Sequence, residues 1–274
     1  MKEVCLIILS HKSYQDIWDL TLTSYKKNFP KGIDVFLTSD KVKDKDLENL
    51  EIKHNITHLS YDEKLSWSGA LRYIFNEFIH NKYKHVIFTF DDLVLTSKVH
   101  ENKISDTLSY MKNDVDYLIL NDGHRTLYSD LINLFKKEFA FKLNSADTYR
   151  GSLVFSAWKT SFFYKIINKD TFSDLNPWEY EQKINNALGL CNSFSLHKGI
   201  FQFANVIIKG KVLKMKQRTA EVKLNYAYNH NRKVLRGFEE FRFNMYSFIF
   251  KFSRYFLSPI IFKNIREIKK NITK

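Results

Sequence analysis

The chain has 274 residues, 44% of them hydrophobic, with only 8 Gly and 3 Pro and a formal net charge of +13. That length suits one α/β domain with an appendage, or one large domain, and the apolar share supplies a sizeable core. Low-complexity and Pro-rich linker chains are excluded. The two cysteines, Cys5 and Cys191, are too few for a disulfide framework and fit a reducing compartment.

Val4–Leu9 is a short apolar run that reads as a buried parallel strand. It is too short for a signal peptide and lacks a small-residue cleavage site. No stretch approaches the roughly 18 apolar residues of a transmembrane helix. The run ends at Ser10-His11-Lys12-Ser13. A helix follows, with Ser13 as N-cap, Asp16 three residues on, and Tyr14, Trp18, Leu22, Tyr25 and Phe29 at helical spacing. Pro30-Lys31-Gly32 stops it. Ile33–Leu37 is a second strand, ending at Thr38-Ser39-Asp40, and a short third lies near Ile56–Leu59. Ser66–Arg72 opens a helix with Leu71, Ile74, Phe75, Phe78 and Ile79 on its apolar face. Val86–Phe90 is a strongly apolar strand running straight into Asp91-Asp92. Strand alternating with helix at this spacing predicts a mostly parallel sheet with crossover helices.

Further along, Tyr117–Leu120 is a strand, Leu127–Ala140 a helix, Ser152–Ala157 a strand and Thr160–Asn168 a helix. Asn176-Pro177-Trp178-Glu179 opens another helix, with Asn as cap and Pro at the first position. Phe203–Ile208 is a strand leading to Lys209-Gly210-Lys211. Periodicity and charge both change near Leu213, which divides the chain into a catalytic domain, 1–213, and an extension, 214–274.

From Lys216 to Lys274 there are 14 Lys or Arg against 4 Asp or Glu, which places +10 of the +13 in the extension. Phe238, Phe241, Met245, Phe248, Phe252, Tyr255 and Phe256 recur there at helical spacing among Arg236, Arg242, Lys251, Arg254, Lys263, Arg266, Lys269 and Lys270, with a break at Pro259. A basic, Phe-rich amphipathic helix reads as a membrane-surface element drawn to anionic lipid. Packing on the domain or on a second copy is the plainer alternative. No nucleic-acid-binding motif precedes the tail, so nucleic acid is not expected as a partner.

Two carboxylates at the carboxyl end of a strand suit a hard divalent cation, Mn2+ or Mg2+, that neutralises a bound diphosphate; a turn or helix cap would use them equally well. The stretch HVIFTFDDLVLTS resembles the metal-binding DxD-type region of GT-A glycosyltransferases, here in the form FDD. The segments YRGSLVFSAWKTSFFYKII, NPWEYEQ and FANVIIKGKV resemble, in pattern and order, a subset of bacterial GT-A enzymes from capsule and lipopolysaccharide loci. The resemblance covers roughly residues 1–213.

It implies a GT-A-like α/β fold and a glycosyltransferase that moves a sugar from a nucleotide-sugar donor to a glycan or lipid-linked acceptor, at the cytoplasmic face of the cell membrane. Asp92, ahead of Asp91, would hold the metal, with His197 as a candidate third ligand. Ser10, His11 and Asp40 would lie near base and ribose. Ser68 and Arg72 at a helix start, and Lys209 and Lys211 around a Gly, would serve the diphosphate. An inverting enzyme needs a carboxylate base on the acceptor side, and Glu181 stands ahead of Glu179, which has a capping role available. Trp178 would stack on a sugar or pack in the core. A sugar nucleotidyltransferase, or a non-enzymatic membrane- or nucleic-acid-binding protein, are the alternatives. The absence of a Gly-rich phosphate loop after the first strand lowers the former.

Overall fold

The computed structural model describes residues 1–42, 44–143, 150–187, 192–208, 210–235 and 237–257. In chain order, the first third contains β1 (Lys2–Leu9), α1 (Gln15–Asn28), β2 (Asp34–Asp40), α2 (Asp44–His54), β3 (Thr57–Tyr61), α3 (Trp67–Ile74, continuing as a π-turn) and β4 (Tyr83–Phe90). β5 (Leu93–Leu95), α4 (Glu101–Met111), β6 (Tyr117–Ile119), α5 (Leu127–Lys136) and β7 (Ala140–Lys142) follow. Next come β8 (Ser156–Lys159), α6 (Thr160–Ile167), α7 (Pro177–Ala187), β9 (Ser193–Leu196), β10 (Phe203–Asn205), β11 (Ile207–Ile208) and β12 (Lys211–Leu213). α8 (Lys214–Leu224), β13 (Val234–Leu235) and α9 (Phe238–Phe256) complete the described chain.

Eight strands form the central sheet in the order β3-β2-β1-β4-β8-β6-β9-β7. β3, β2, β1 and β4 run parallel, β9 is parallel to β6, and β8 and β7 are antiparallel to their neighbours. Cys5, Leu6, Ile7 and Ile8 have no exposed surface, because β1 sits between β2 and β4 with apolar layers on both faces. That double burial is why its sequence is a continuous apolar run. On one face α1 covers Leu6, Ile8 and Ile87; on the other, α3 and α6 cover Ile7, Val86 and Phe88.

The expected strand at 152–157 is realised a few residues later as β8 and runs antiparallel. The expected 203–208 strand breaks at Val206, whose N–H donates to the Asp92 carbonyl (3.0 Å) and whose own carbonyl accepts from Leu213 N (2.9 Å). β10 pairs with β5 and β11 with β12, so the two halves enter different sheets. The helix expected to reach Ala140 stops at Lys136, capped by Lys137 in the left-handed region at φ 49°. Residues 214–235 return to the body: Ala220 and Leu224 of α8 join the core, and β13 pairs in parallel with β12.

Candidate active site

The chain leaves the sheet ladder at Asp91, and the freed backbone is caught by a polar stripe on α1. Thr21 Oγ1 donates to the Asp91 carbonyl. Ser24 Oγ accepts from Leu95 N (3.0 Å), and Asn28 Nδ2 donates to Leu95 O (3.1 Å). Thr21, Ser24 and Asn28 lie three and four residues apart, hence on one helix face, and that face holds the β4–β5 turn.

Ser10, at the end of β1, donates to Asp91 Oδ2 and accepts from Trp18 Nε1 (2.6 Å). Asp91 is 6% exposed and Asp92 half-buried. Burial, and then the neighbouring Asp92, push the Asp91 carboxyl well above the carboxylate range, despite Ser10, Trp18 and Arg232. Burial likewise raises Asp92 to about 6. Two adjacent carboxylates out of water disfavour their own charge. Asp91 has a hydroxyl donor already, so Asp92 is the one with an oxygen to offer.

The rim comes from the far end of the chain. Arg232 forms a fork to Asp16, Nε to Oδ2 at 2.7 Å and Nη2 to Oδ1 at 2.6 Å. Its guanidinium lies 4.4 Å from the centre of the Tyr14 ring. Tyr228 OH donates to Asp16 (3.2 Å), and Tyr226 OH to Asp19. An open cleft is bounded by the segments 12–16 and 229–232. Ser10, bonded to Asp91, stands two residues before Lys12 of this cleft, which sets the acidic pair beside its rim; burial and the charges of Asp91 and Asp92 push the Tyr14 phenol up. Nothing local in the sequence marks Arg232; its partner is 216 residues away.

Beside the pair, the ends of β1, β2 and β3 make a narrow slot lined by Thr38, Tyr61, Trp67 and Leu71. Asp40, 1% exposed, accepts from Lys12 N (2.7 Å). Its Oδ2 faces Lys12 Nζ at 3.2 Å and His11 Nε2 at 3.5 Å without a well-aligned hydrogen bond. Ser10, His11, Asp40, Asp91 and Asp92 thus gather at one edge of the sheet.

Other expected residues are used elsewhere. Ser68 Oγ accepts from Leu175 N (2.8 Å), and its N–H donates to Leu175 O (3.1 Å). Arg72 donates to the carbonyls of Ile167 (2.8 Å) and Lys169 (3.2 Å), capping the end of α6. Both residues tie elements together. Lys209 lies outside the described residues. Gly210, at φ +72°, sits in the hairpin between β11 and β12, and Lys211 begins β12. His197 follows β9, three strands from β4 in the sheet order, or roughly 14 Å at the usual strand spacing. It lies against Phe141, with Glu138, Asp130 and Arg125 as its charged neighbours, so it is not a ligand in a site built on Asp92.

Glu179 completes the capping box, its Oε2 accepting from Asn176 N (3.0 Å) while Asn176 Oδ1 accepts from Glu179 N (3.0 Å). Glu181, half-buried, accepts from Ser152 Oγ (3.1 Å). Ser152 lies just before β8, at the edge where β4 and β6 end, so Glu181 and the acidic pair share that edge. Trp178 is 74% exposed, which rules out core packing.

Among the described residues no three His, Cys, Asp or Glu side chains converge as a full metal cage. The donor set instead fits a cation held by one or two carboxylates that takes its remaining ligands from water and a phosphate-bearing substrate, as Mg2+ commonly does. Burial raises the proton affinity of both carboxyls, and a bound cation would favour their charged forms.

The architecture is GT-A-like: a large, mostly parallel α/β sheet flanked by helices, with the acidic pair after the fourth strand. Among solved structures the chain is similar to residues 1–349 of S. aureus TarS in complex with UDP, with TM-score 0.50, 16% identity, and coverage of 83% of this chain and 67% of that one. It also aligns with 4-diphosphocytidyl-2C-methyl-D-erythritol synthase from Anaerococcus prevotii, at TM-score 0.48 and 10% identity over 82% of this chain and 97% of that one. At 16% identity the likeness to TarS is one of fold. The chain spans 59% of the TarS 1–349 fragment in a second crystal structure. No protein-family model matches the chain, and no curated protein matches its sequence.

Proposed function

We propose that this protein is a metal-dependent glycosyltransferase that moves a sugar from a nucleotide-sugar donor to a glycan or lipid-linked acceptor in bacterial surface-polysaccharide synthesis. The observation that carries it is the Asp91–Asp92 pair, held at the carboxyl end of β4 beside a cleft rimmed by Lys12 and Arg232. Asp92, supported by Asp91, would hold Mn2+ or Mg2+, which when bound supplies charge to stabilise a leaving diphosphate. Ser10 and Trp18 fix Asp91. Lys12 and Arg232 stand where they can exchange their present carboxylate partners for phosphate oxygens. Ser10, His11 and Asp40, at the ends of β1 and β2 beside the acidic pair, would serve the base and ribose of the donor. Glu181 is the base for the acceptor hydroxyl, with inversion by single displacement, and exposed Trp178 offers a flat apolar surface near the same helix start for a sugar.

The loop after β1 favours this reading over nucleotidyl transfer. Its N–H groups are committed internally: Lys12 N to Asp40, Ser13 N to His11 Nδ1 (3.2 Å), and Tyr14 N to His11 O (2.8 Å). None of these three remains for a triphosphate.

The test is thermal shift with UDP-, GDP-, CMP- and dTDP-sugars, with and without Mn2+. One nucleotide family should raise the melting temperature by about 5–10 °C near a hundredfold excess over Kd, only with metal, and Asp92→Asn should abolish the shift. Glu181→Gln should keep the shift and lose transfer. A folded protein that responds to no nucleotide, or an Asp92→Asn variant that responds like the wild type, would end the proposal.

A further inference from the structure

A helix lying on a globular body turns its apolar stripe inward and its polar face to water. α5 and α9 do the reverse. Along α9, Phe241, Met245, Phe248, Ile249, Phe252 and Phe256 are all exposed, from 41% for Met245 to 67% for Phe248. At 3.6 residues per turn they share an arc of roughly 100°. The opposite side carries Glu240, buried, which accepts from Met215 N (2.8 Å) at the start of α8, and Arg254, which donates to Gly123 O. In α5, Leu127, Leu131, Leu134 and Phe135 are exposed, Phe135 to 87%, while Ser129 is 3% exposed. Their arc is again roughly 100°.

The two helices are clasped together. Tyr255 OH of α9 donates to Asp130 Oδ2 of α5 (2.6 Å), and Arg125 Nε donates to both Asp130 oxygens at 2.7 and 2.9 Å. Around the helices, Tyr255 lies about 20° from Phe248 and Asp130 about 40° from Leu134. The seam therefore borders both stripes. Exposed apolar stripes of this kind mark an interaction surface.

We infer that α5 and α9 together form a single docking face for an anionic lipid bilayer, lying in the plane of its surface. Charge selects the occupant. The stretch from Lys216 to Lys274 carries 14 Lys or Arg against 4 Asp or Glu, complementary to an anionic surface. Two copies of the chain meeting through this face would bring two such stretches together, against their mutual repulsion. Among the described residues no helix is long and apolar enough to cross a membrane, which leaves lying on it. The inference stands independently of the sugar-transfer reading.

Flotation of the full chain with vesicles tests it, using phosphatidylcholine alone or mixed with about one third phosphatidylglycerol. Binding to the anionic vesicles is expected, falling as salt screens the charges, with little binding to the neutral ones. The variants Phe248→Ser/Phe252→Ser in α9 and Leu134→Ser/Phe135→Ser in α5 should each weaken it at least tenfold with unchanged melting, since these side chains are exposed. Wild-type binding by the α5 variant would overturn the joint face, and equal binding to neutral vesicles the charge argument. Failure to bind anionic vesicles, with a dimer in analytical ultracentrifugation that either variant splits, would assign the face to a second copy.

Discussion

α1 and α9 both turn polar side chains toward the protein, and the difference between them lies in what remains. α1 is buried on nearly every side: Ile17, Trp18, Leu20 and Leu22 enter the core while Thr21, Ser24 and Asn28 hold the β4–β5 turn. Its polarity is consumed by backbone that has left the sheet, and its apolar groups by the sheet itself. In α9 the polar side is consumed as well, by α8 and by the 121–124 turn, but no part of the described chain covers the Phe stripe. Amphipathicity states that two faces differ. Which one points inward depends on where unpaired backbone groups wait to be satisfied.

Substitutions that treat the two helices alike should give unlike results. Trp18→Ala removes a side chain with no exposed surface and the indole donor to Ser10. Denaturant unfolding should show a loss of about 3–5 kcal/mol, and metal-dependent nucleotide binding should fall with it. Thr21→Val keeps the shape but leaves the Asp91 carbonyl without its donor, at about 1–3 kcal/mol in the same measurement.

The α5–α9 clasp should respond to acid. Burial raises the Asp130 carboxyl, but the hydrogen bonds from Arg125 and Tyr255 outweigh it and hold the group below its ordinary value. A carboxylate depressed in the folded state stabilises it above the unfolded pKa of about 4, and the contribution disappears as pH falls through the lower folded value. Amide hydrogen exchange in α9 should therefore accelerate below about pH 4. Asp130→Asn should show the faster exchange already at pH 7, by no more than about 1 kcal/mol. Phe252→Ala, at 54% exposure, should change unfolding by less than about 0.5 kcal/mol without lipid.

These contrasts follow what could be read from residue order. β1 and β4 were legible because strands buried on both faces leave continuous apolar runs, and the acidic pair because it terminates one of them. The Asn176–Glu179 capping box was legible because both partners lie within one turn. β8 was placed a few residues early, and its direction was hidden, since a period of two carries no arrow. α2 escaped notice because its sequence, DKDLENLEIKH, has a weak apolar stripe, and β9 because Ser-Phe-Ser-Leu is too short to stand out. Ser68 and Arg72 lay at a suitable helix start, yet the carbonyls of Leu175, Ile167 and Lys169 that claim them are remote in sequence. Arg232 was missed for the same reason. The stripe on α9 was visible as spacing; that α5 lies against it required knowing that Tyr255 meets Asp130. Pro259, Lys263, Arg266, Lys269 and Lys270, together with Cys191 and Arg236, lie outside the described residues.

The fork between Asp16 and Arg232 also sets an order in time. The two residues are 216 positions apart, which at usual rates of synthesis means about 11–43 s between the emergence of one and the other. β1 to β4 and α1 are complete long before that interval closes. Within the site the rim is therefore the last part to be synthesised: Asp91 and Asp92 emerge with the end of β4 well before Arg232 does.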